Sequence, residues 1–183
     1  MEKKILIIGK KSFIGTNLFI FLKRNKINSR LVSYKYLINN TGILKEYNYI
    51  INCTYNKLLV EKRYNSKFDN DFIIVQKIKK FNSKFIFLST RKIYKPKFNI
   101  KENATKQPLC NYSKNKLITE KKIKKILKNR ILILRISNII GLTKNHKRKL
   151  HQTFIDHFVK FIKKGYLFEN KKIYKDFISI DKF

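Results

Sequence analysis

The residues best suited to chemistry in this sequence are a tyrosine and a lysine, Tyr112 and Lys116. They lie four positions apart, and side chains at this spacing share one face of a helix. A free tyrosine has a pKa of about 10, so it needs a nearby cation to exchange a proton near neutral pH. Lys116 would supply that charge. The spacing alone decides little, because the chain has ten tyrosines and 44 lysines and arginines.

A second set of candidate residues opens the chain. The apolar run Ile5–Ile8 ends at Gly9, and the spacing G-x-x-S-x-x-G then leads to Gly15. This pattern is typical of a strand that turns sharply into a helix whose first turn holds a phosphate. The dinucleotide fingerprint has a glycine in the middle position, whereas this chain has Ser12, whose hydroxyl would suit a phosphate oxygen. Taken alone, the motif also fits a plain strand–turn–helix.

Three further motifs follow in order. An apolar strand ends at Ser89 and Thr90, with a tyrosine four residues later; 134–141 reads L-R-x-x-N-x-x-G; and 176–181 reads D-F-x-x-x-D. With the glycine loop and the Y-x-x-x-K pair, they make five motifs spread over nearly the whole chain. In this order they resemble the extended short-chain dehydrogenase/reductase family, the NAD(P)-dependent sugar-nucleotide epimerases, dehydratases and reductases.

The resemblance implies a role for each matched residue. Tyr112 matches the general acid/base, and Lys116 matches the lysine that binds the nicotinamide ribose and lowers the pKa of the tyrosine. Thr90 matches the serine or threonine that hydrogen-bonds the reacting oxygen. Besides Tyr112 and Lys116, the implied cofactor-binding residues are Gly9, Ser12, Phe13, Ile14, Gly15, Asn52, Cys53, Thr54, Asn138 and Gly141. The implied reaction is hydride transfer between a nicotinamide and a sugar carbon of a nucleotide sugar, with Tyr112 moving the hydroxyl proton.

The choice between NAD and NADP rests on the end of the second predicted strand. NAD recognition generally uses an acidic residue there, to bond the ribose 2′-OH. This chain has Ser33, Tyr34 and Lys35 instead. Lys11 and Lys35 would suit a 2′-phosphate, so the sequence favours NADP slightly over NAD.

The reaction subtype is less constrained. The S-T-x-x-x-Y strand end leans towards members similar to dTDP-4-dehydrorhamnose reductase. Dehydratases usually place an acid beside the catalytic serine or threonine, whereas Arg91 and Lys92 follow Thr90. The sequence therefore argues against dehydration and leaves epimerase and reductase open.

The elements that must position these residues alternate between strand and helix. Apolar runs predict strands at Ile5–Ile8, Arg30–Ser33, Tyr49–Cys53, Lys84–Leu88 and Arg130–Ile136. Helical periodicity marks Leu18–Leu22, Asp71–Phe81 and Lys114–Leu127. Such alternation predicts an α/β fold of the Rossmann type, a doubly wound parallel sheet with helices on both faces. A polar loop, 95–111, should lie at the carboxyl end of the fourth strand, where such sheets bind ligands.

The family pattern also predicts the domain organisation. We expect an NAD(P)-binding Rossmann domain at 1–165 and the start of a truncated substrate-binding region at 166–183. Family members continue past the D-F-x-x-x-D segment, so we expect most of the substrate-binding C-terminal region to be missing. The sheet edge exposed by this truncation would need cover. A homodimer or a partner chain would provide it.

The charge of the chain is strongly positive: 44 Lys+Arg against 11 Asp+Glu give a net charge of +33. Such a surface should bind polyanions weakly and non-specifically at low salt. The basic residues are spread along the chain, and the abundant Lys, Asn, Ile, Phe and Tyr are residues of A/T-rich codons. Compositional drift therefore explains the charge better than a dedicated nucleic-acid site does.

The remaining composition excludes several other classes of protein. The two cysteines and three histidines show no metal-ligand spacing, so we predict no metal site. No apolar run is long enough to span a membrane, and the apolar run at the start of the chain is too short to be the apolar region of a secretory signal. We therefore expect a cytoplasmic protein. Two alternatives to an enzyme stay open: a non-catalytic NADP-binding Rossmann protein (a sensor, scaffold or remnant) and a basic polyanion or nucleic-acid binder.

Overall fold

A parallel sheet of five strands forms the centre of the fold in the computed structural model, which describes residues 3–141, 154–166 and 176–182. The strands are β1 (Ile5–Ile8), β2 (Ser29–Val32), β3 (Tyr49–Asn52), β4 (Lys84–Thr90) and β5 (Ile131–Ile136). They lie in the order β2-β1-β3-β4-β5, and every neighbouring pair is parallel. The order reverses direction next to β1, and ligands bind at the carboxyl ends of the strands at such a point.

Helices connect the strands. They are α1 (Phe13–Arg24), α2 (Tyr34–Asn39), α3 (Leu58–Glu61), α4 (Asn70–Ile78), α5 (Asn111–Leu127) and α6 (Phe154–Ile162). Short 3₁₀ turns lie at Thr41–Glu46, Ser66–Phe68, Arg91–Ile93, Lys128–Arg130 and Ile180–Lys182. Polar side chains start three of the helices: Ser12, Ser33 and Asp69 accept hydrogen bonds from backbone N–H groups in the first turns of α1, α2 and α4.

The main core lies on one face of the sheet. Buried side chains of β1, β3 and β4 pack there with α4 and α5 in one cluster, which includes Leu6, Ile8, Ile50, Phe85, Phe87, Ile74, Val75, Ile78, Ile123 and Leu127. Ile7 and Ile51 are also buried. Because successive side chains of a strand point to opposite faces, both faces of these central strands are covered. The predicted Rossmann-type parallel sheet is therefore confirmed.

The predicted elements agree with the structure in type and shift at their ends. The second strand runs over Ser29–Val32 instead of Arg30–Ser33. The fourth strand continues two residues beyond its predicted end, to Thr90. The helix predicted from Lys114 begins at Asn111, which places Tyr112 in its first turn.

A second, two-stranded parallel sheet pairs β6 (Asn138–Ile140) with β7 (Phe177–Ser179). Gly141 follows β6 with a φ of +152°, and a Cβ there would lie 2.3 Å from Cγ2 of Ile180. An ion pair of 3.0 Å links Asp176, just before β7, to Arg91, which follows β4. The small sheet thus joins residues from both sides of the predicted boundary at 165, and that boundary stays a prediction.

No helix among the described residues is long and apolar enough to cross a membrane. Both cysteines, Cys53 and Cys110, are free thiols. His146 and His151 fall outside the described residues, and the structure describes only the backbone of His157.

Candidate functional site

A cleft of about 830 Å³ opens at the carboxyl ends of β1, β2 and β3. Its walls come from the glycine loop, from the residues after β2 and β3, from the start of α5 and from the segment after β5. The lining residues are Gly9, Lys10, Lys11, Ser12, Phe13, Ile14, Ser33, Tyr34, Cys53, Thr54, Tyr55, Lys57, Val60, Lys92, Tyr112, Ile136, Ser137 and Ile139. Eight of the predicted site residues are in this set: Gly9, Lys11, Ser12, Phe13, Ile14, Cys53, Thr54 and Tyr112.

The glycine loop has the geometry that a close turn requires. Gly9 has a φ of +133°, and a Cβ there would lie 3.0 Å from the Cβ of Ser12. A Cβ on Gly15 would lie 2.9 Å from the carbonyl oxygen of Gly9 and 3.2 Å from the Cβ of Cys53. Neither position accepts a larger side chain without movement of the loop. The loop leads into the N-terminus of α1, where backbone N–H groups and the helix dipole favour a phosphate.

The cleft is positively charged. Four lysines, Lys10, Lys11, Lys57 and Lys92, are among the lining residues, and none of the lining residues is acidic. Ser33 lies at the end of β2, where its hydroxyl accepts a hydrogen bond of 3.1 Å from the backbone N–H of Tyr36. Lys35, predicted to bind a 2′-phosphate, is exposed on α2 and does not line the cleft.

Tyr112 packs against a second tyrosine in the cleft. The rings of Tyr112 and Tyr55 meet edge to face, with centroids 5.2 Å apart. Burial raises the pKa of Tyr55 well above its usual value, and its hydroxyl donates to the carbonyl of Leu59 at 3.3 Å. Tyr55 is therefore uncharged near pH 7 and forms part of the cleft wall. No sequence motif marks Tyr55 as part of the site.

Lys116 lies beneath the cleft, not in its wall. The residue is 5% exposed, and its Nζ donates to the carbonyl oxygen of Leu88 at 2.9 Å and to Oδ2 of Asp71 at 3.3 Å. The same ammonium group lies 4.5 Å from the ring centroids of Tyr55 and Phe87. The ammonium group is thus held in place by a carboxylate, a carbonyl oxygen and two aromatic faces.

Asp71 connects this lysine to the end of β3. Asp71 is 2% exposed and accepts a hydrogen bond of 2.8 Å from the side-chain amide of Asn52. Asn52 in turn accepts hydrogen bonds from the backbone N–H and the hydroxyl of Thr54, which lines the cleft. Burial raises the pKa of Asp71 to about 6, although the Lys116 ammonium opposes this rise. No sequence signal marks Asp71 as part of the site, because an acid in the first turn of a helix already has an explanation in the helix dipole.

The remaining predicted residues lie around the cleft without lining it. Thr90 ends β4 at the same edge of the sheet, is buried, and accepts a hydrogen bond of 3.2 Å from the backbone N–H of Lys92. Asn138 donates from its side-chain amide to the carbonyl of Asp176 at 3.0 Å. Gly15 and Asn52 are buried behind the wall. The structure therefore brings Tyr112 and the glycine loop into one cleft and leaves Thr90 and Lys116 just below its surface.

A separate ionic network fixes the outer part of the sheet. Glu120, which is 4% exposed, accepts hydrogen bonds from the hydroxyl of Ser89 and from the guanidinium of Arg135, the latter at 2.9 and 3.1 Å. Arg135 also donates to the hydroxyl of Tyr94 at 2.7 Å. The network joins the middle of α5 to β4 and β5.

The sequence matches the family model "NAD dependent epimerase/dehydratase family" over residues 5–181. The chain belongs to this family. No curated protein matches the sequence. Among the described residues of this family member, no group of three His, Cys, Asp or Glu side chains has the arrangement to hold a metal ion.

Solved structures of similar fold include a UDP-N-acetylglucosamine 4-epimerase from Methanobrevibacter ruminantium (20% identity, TM-score 0.76, covering 98% of this chain and 69% of that one). A UDP-glucuronic acid 4-epimerase from Bacillus cereus, in complex with UDP-glucuronic acid and NAD, aligns at 19% identity and a TM-score of 0.73, covering 97% and 69%. A dTDP-4-dehydrorhamnose reductase from Clostridium acetobutylicum aligns at 18% identity and a TM-score of 0.71, covering 88% and 60%. At these identities the likeness shows a shared fold.

Proposed function

We propose that this chain is an NAD(P)-dependent oxidoreductase or epimerase acting on a nucleotide-activated sugar, with Tyr112 as the acid/base. The observation that supports it best is that Tyr112 and the glycine loop line one cleft, at the carboxyl ends of the strands, in a member of the NAD dependent epimerase/dehydratase family. Several structures of similar fold are epimerases in complex with a nucleotide sugar or NAD.

The cleft residues fit a dinucleotide. The two crowded glycines allow a pyrophosphate to approach the backbone, and four lysines without an acid suit its charge. When bound, a nicotinamide would accept or donate a hydride at the sugar carbon. Ser12 at the start of α1 and the α1 N–H groups would hold the phosphates.

Tyr112 would carry the proton of the same reaction. As a phenolate, it would take the proton of the sugar hydroxyl when that carbon is oxidised, and as the phenol it would return the proton when the carbonyl is reduced. Thr90 would donate a hydrogen bond to the reacting oxygen, and the ammonium group of Lys116 would bind the nicotinamide ribose. Both act from just below the cleft surface.

The residues after β2 favour NADP over NAD. Ser33 supplies no carboxylate for the ribose 2′-OH, and Lys10 and Lys11 line the cleft on the side of the glycine loop. We propose that Lys11 contacts a 2′-phosphate. Lys35, exposed on α2 and outside the cleft lining, would add only a weaker contribution.

A second candidate function follows from the position of Lys116. Because its ammonium group is held by Asp71 and Leu88 and does not line the cleft, the chain would also suit a protein that binds the dinucleotide without catalysis. Such a protein would use dinucleotide binding for sensing, or it would act as a scaffold. This candidate shares the cleft and differs only in turnover.

Fluorescence titration with NADPH and NADH, followed by turnover assays with UDP-sugars and dTDP-4-dehydro sugars, tests both candidates. We expect Tyr112→Phe to keep cofactor affinity within about twofold and to lower turnover at least about 100-fold, the range of a lost acid/base group. Tyr55→Phe is the matched control, because it removes a hydroxyl from the same cleft and keeps the ring that packs against Tyr112.

The outcomes separate the candidates. Turnover that depends on Tyr112 and survives Tyr55→Phe supports the enzyme. Cofactor binding without turnover by the unmodified chain supports the non-catalytic protein. If neither cofactor binds, both candidates fail.

A further inference from the structure

Lys92 brings a positive charge to the part of the cleft next to Thr90 and Tyr112. It lies two residues after Thr90, and its backbone N–H donates a hydrogen bond of 3.2 Å to the Thr90 hydroxyl oxygen. Thr90 is the acceptor in this bond, so its hydroxyl proton can still be donated to a substrate. The side chain of Lys92 is exposed and lines the cleft together with Tyr112. A lysine is thus anchored beside the groups proposed to contact the reacting oxygen.

The ammonium group of Lys92 lies close to the start of α5. Cys110 directly precedes this helix, two residues before Tyr112. Burial raises the pKa of the Cys110 thiol, but hydrogen bonds from Ser113 and the charge of Lys92 outweigh this effect, so the pKa lies below its usual value. A cation stabilises a thiolate in this way only at short range. The charge of Lys92 is therefore near the helical turn that carries Tyr112.

The neighbouring base, Arg91, is oriented differently. It lines an adjoining cavity beside β5 and forms an ion pair of 3.0 Å with Asp176. Lys92 forms no ion pair with any residue that the structure describes, and none of the residues that line the cleft is acidic. Ile93, the next residue, is fully buried and holds the short turn in place. The charge of Lys92 is therefore available to an anion that binds in the cleft.

The phosphates of a dinucleotide would bind elsewhere in the cleft. Lys10 and Lys11 follow β1 in the glycine loop, whereas Lys92 follows β4, and β3 lies between these two strands. Neighbouring strands are about 4.8 Å apart, so β1 and β4 are separated by about 10 Å. A nicotinamide ring carries no negative charge in either redox state. The anion that suits Lys92 should therefore belong to the second substrate.

We propose that Lys92 selects nucleotide sugars that carry a carboxylate near the reacting carbon, as a uronic acid does. Thr90 and Tyr112 would contact the oxygen of the reacting carbon, and the ammonium group of Lys92 would pair with the carboxylate. A hydrogen bond between two charged groups is stronger than one between neutral groups. This inference rests on the proposed function, because it assigns a substrate class to the same site. The diphosphate of the substrate is a second anion, and the test separates the two.

Isothermal titration calorimetry compares UDP-glucuronic acid with UDP-glucose on the chain saturated with NADP⁺, or with NAD⁺ if that cofactor binds more tightly. The two ligands share the diphosphate and differ at C6, which is a carboxylate in the first and a hydroxymethyl group in the second. We expect about tenfold tighter binding of UDP-glucuronic acid at 0.15 M salt, the effect of one hydrogen bond between charged groups. Lys92→Met should remove this preference, and Lys92→Arg should keep it.

Lys95→Met is the matched control. Lys95 is an exposed lysine of the same connection that does not line the cleft, and its replacement makes the same change in net charge. We expect its ratio of the two affinities to stay within about twofold of the ratio in the unmodified chain. The ratio is the readout because a loss of folded protein lowers both affinities together.

Three results would overturn the inference and leave the proposed function standing. The unmodified chain binds both ligands equally. Lys92→Met weakens both ligands by the same factor, which would mean that Lys92 contacts the diphosphate. Lys95→Met removes the preference as fully as Lys92→Met does, which would mean that overall charge sets it. If neither nucleotide sugar binds, the proposed function and this inference fail together.

Discussion

At the scale of single residues, Ser33 decides the cofactor if the proposed function is right. It directly follows β2, caps α2 and lines the cleft. Aspartate caps helices as well as serine does, and it would place a carboxylate where NAD recognition uses one. We expect Ser33→Asp to weaken NADPH binding about tenfold and to leave NADH binding equal or tighter, as measured by fluorescence titration.

Ser33→Asn is the control for this change. Asparagine keeps the cap and adds similar volume without charge, so its ratio of NADH to NADPH affinity should stay within about threefold of the unmodified chain. Equal shifts in both variants would mean that volume, not charge, sets the ratio. The assignment of the ribose site to the end of β2 would then be wrong.

At the scale of elements, the buried pair of Lys116 and Asp71 joins α5 to α4. Removing one partner of a buried ion pair leaves the other charge unpaired and costs several kcal/mol. Asp71 can take up a proton, since burial already raises its pKa to about 6, so the cost should be at the low end. We expect Lys116→Met to lower the free energy of unfolding by about 3 kcal/mol, measured by urea denaturation at pH 7.

The double variant Asp71→Asn/Lys116→Met provides the matching control. It removes both charges of the buried pair, and methionine fills irregular space well, so most of the lost stability should return. If the losses of unfolding free energy in Asp71→Asn and Lys116→Met simply add in the double variant, the pair does not interact as the structure indicates. Lys116→Ala would also leave Asp71 unpaired and lower the stability of the fold. A loss of cofactor binding in that variant would therefore not report on the cleft.

The small sheet of β6 and β7 depends on one glycine. A Cβ at Gly141 would overlap Ile180, and the backbone there has a φ of +152°. We expect Gly141→Ala to speed hydrogen exchange of the amides at 138–140 and 177–179 at least about tenfold, because strain of this kind costs 1–3 kcal/mol. At Gly42 a Cβ would meet nothing within 4 Å, so Gly42→Ala should leave those amides unchanged. Similar exchange in both variants would contradict the packing of Gly141 on Ile180.

At the scale of the whole molecule, charge governs contact with polyanions. With a net charge of +33, the chain should bind DNA and heparin at low salt through released counterions. We expect affinity for a random DNA duplex to fall at least about 100-fold between 50 and 200 mM salt, as measured by fluorescence anisotropy. Tight binding that persists at 200 mM would favour the nucleic-acid alternative over compositional drift.

The fold could be predicted from the sequence because its strands are short apolar runs bounded by clear signals. Gly9 ends β1 and Ser12 begins α1, and both signals are local. The glycine loop and Tyr112 could be placed at one site for the same reason, since motif order fixes which strand ends meet. The contact of Lys116 with Asp71 spans 45 positions, and no local pattern reports which charges a fold will bury together. Tyr55 has no sequence signal either, because its role is set by packing against Tyr112.

The buried pair also constrains how this sequence can change over generations. A mutation that replaces Lys116 alone leaves the carboxylate of Asp71 unpaired in the core, and one that replaces Asp71 alone leaves the ammonium group of Lys116 unpaired. Most single steps away from the pair therefore pass through a less stable chain. The two positions should be inherited together or lost together, so an alignment of close relatives should show them covarying even in members that have lost catalysis.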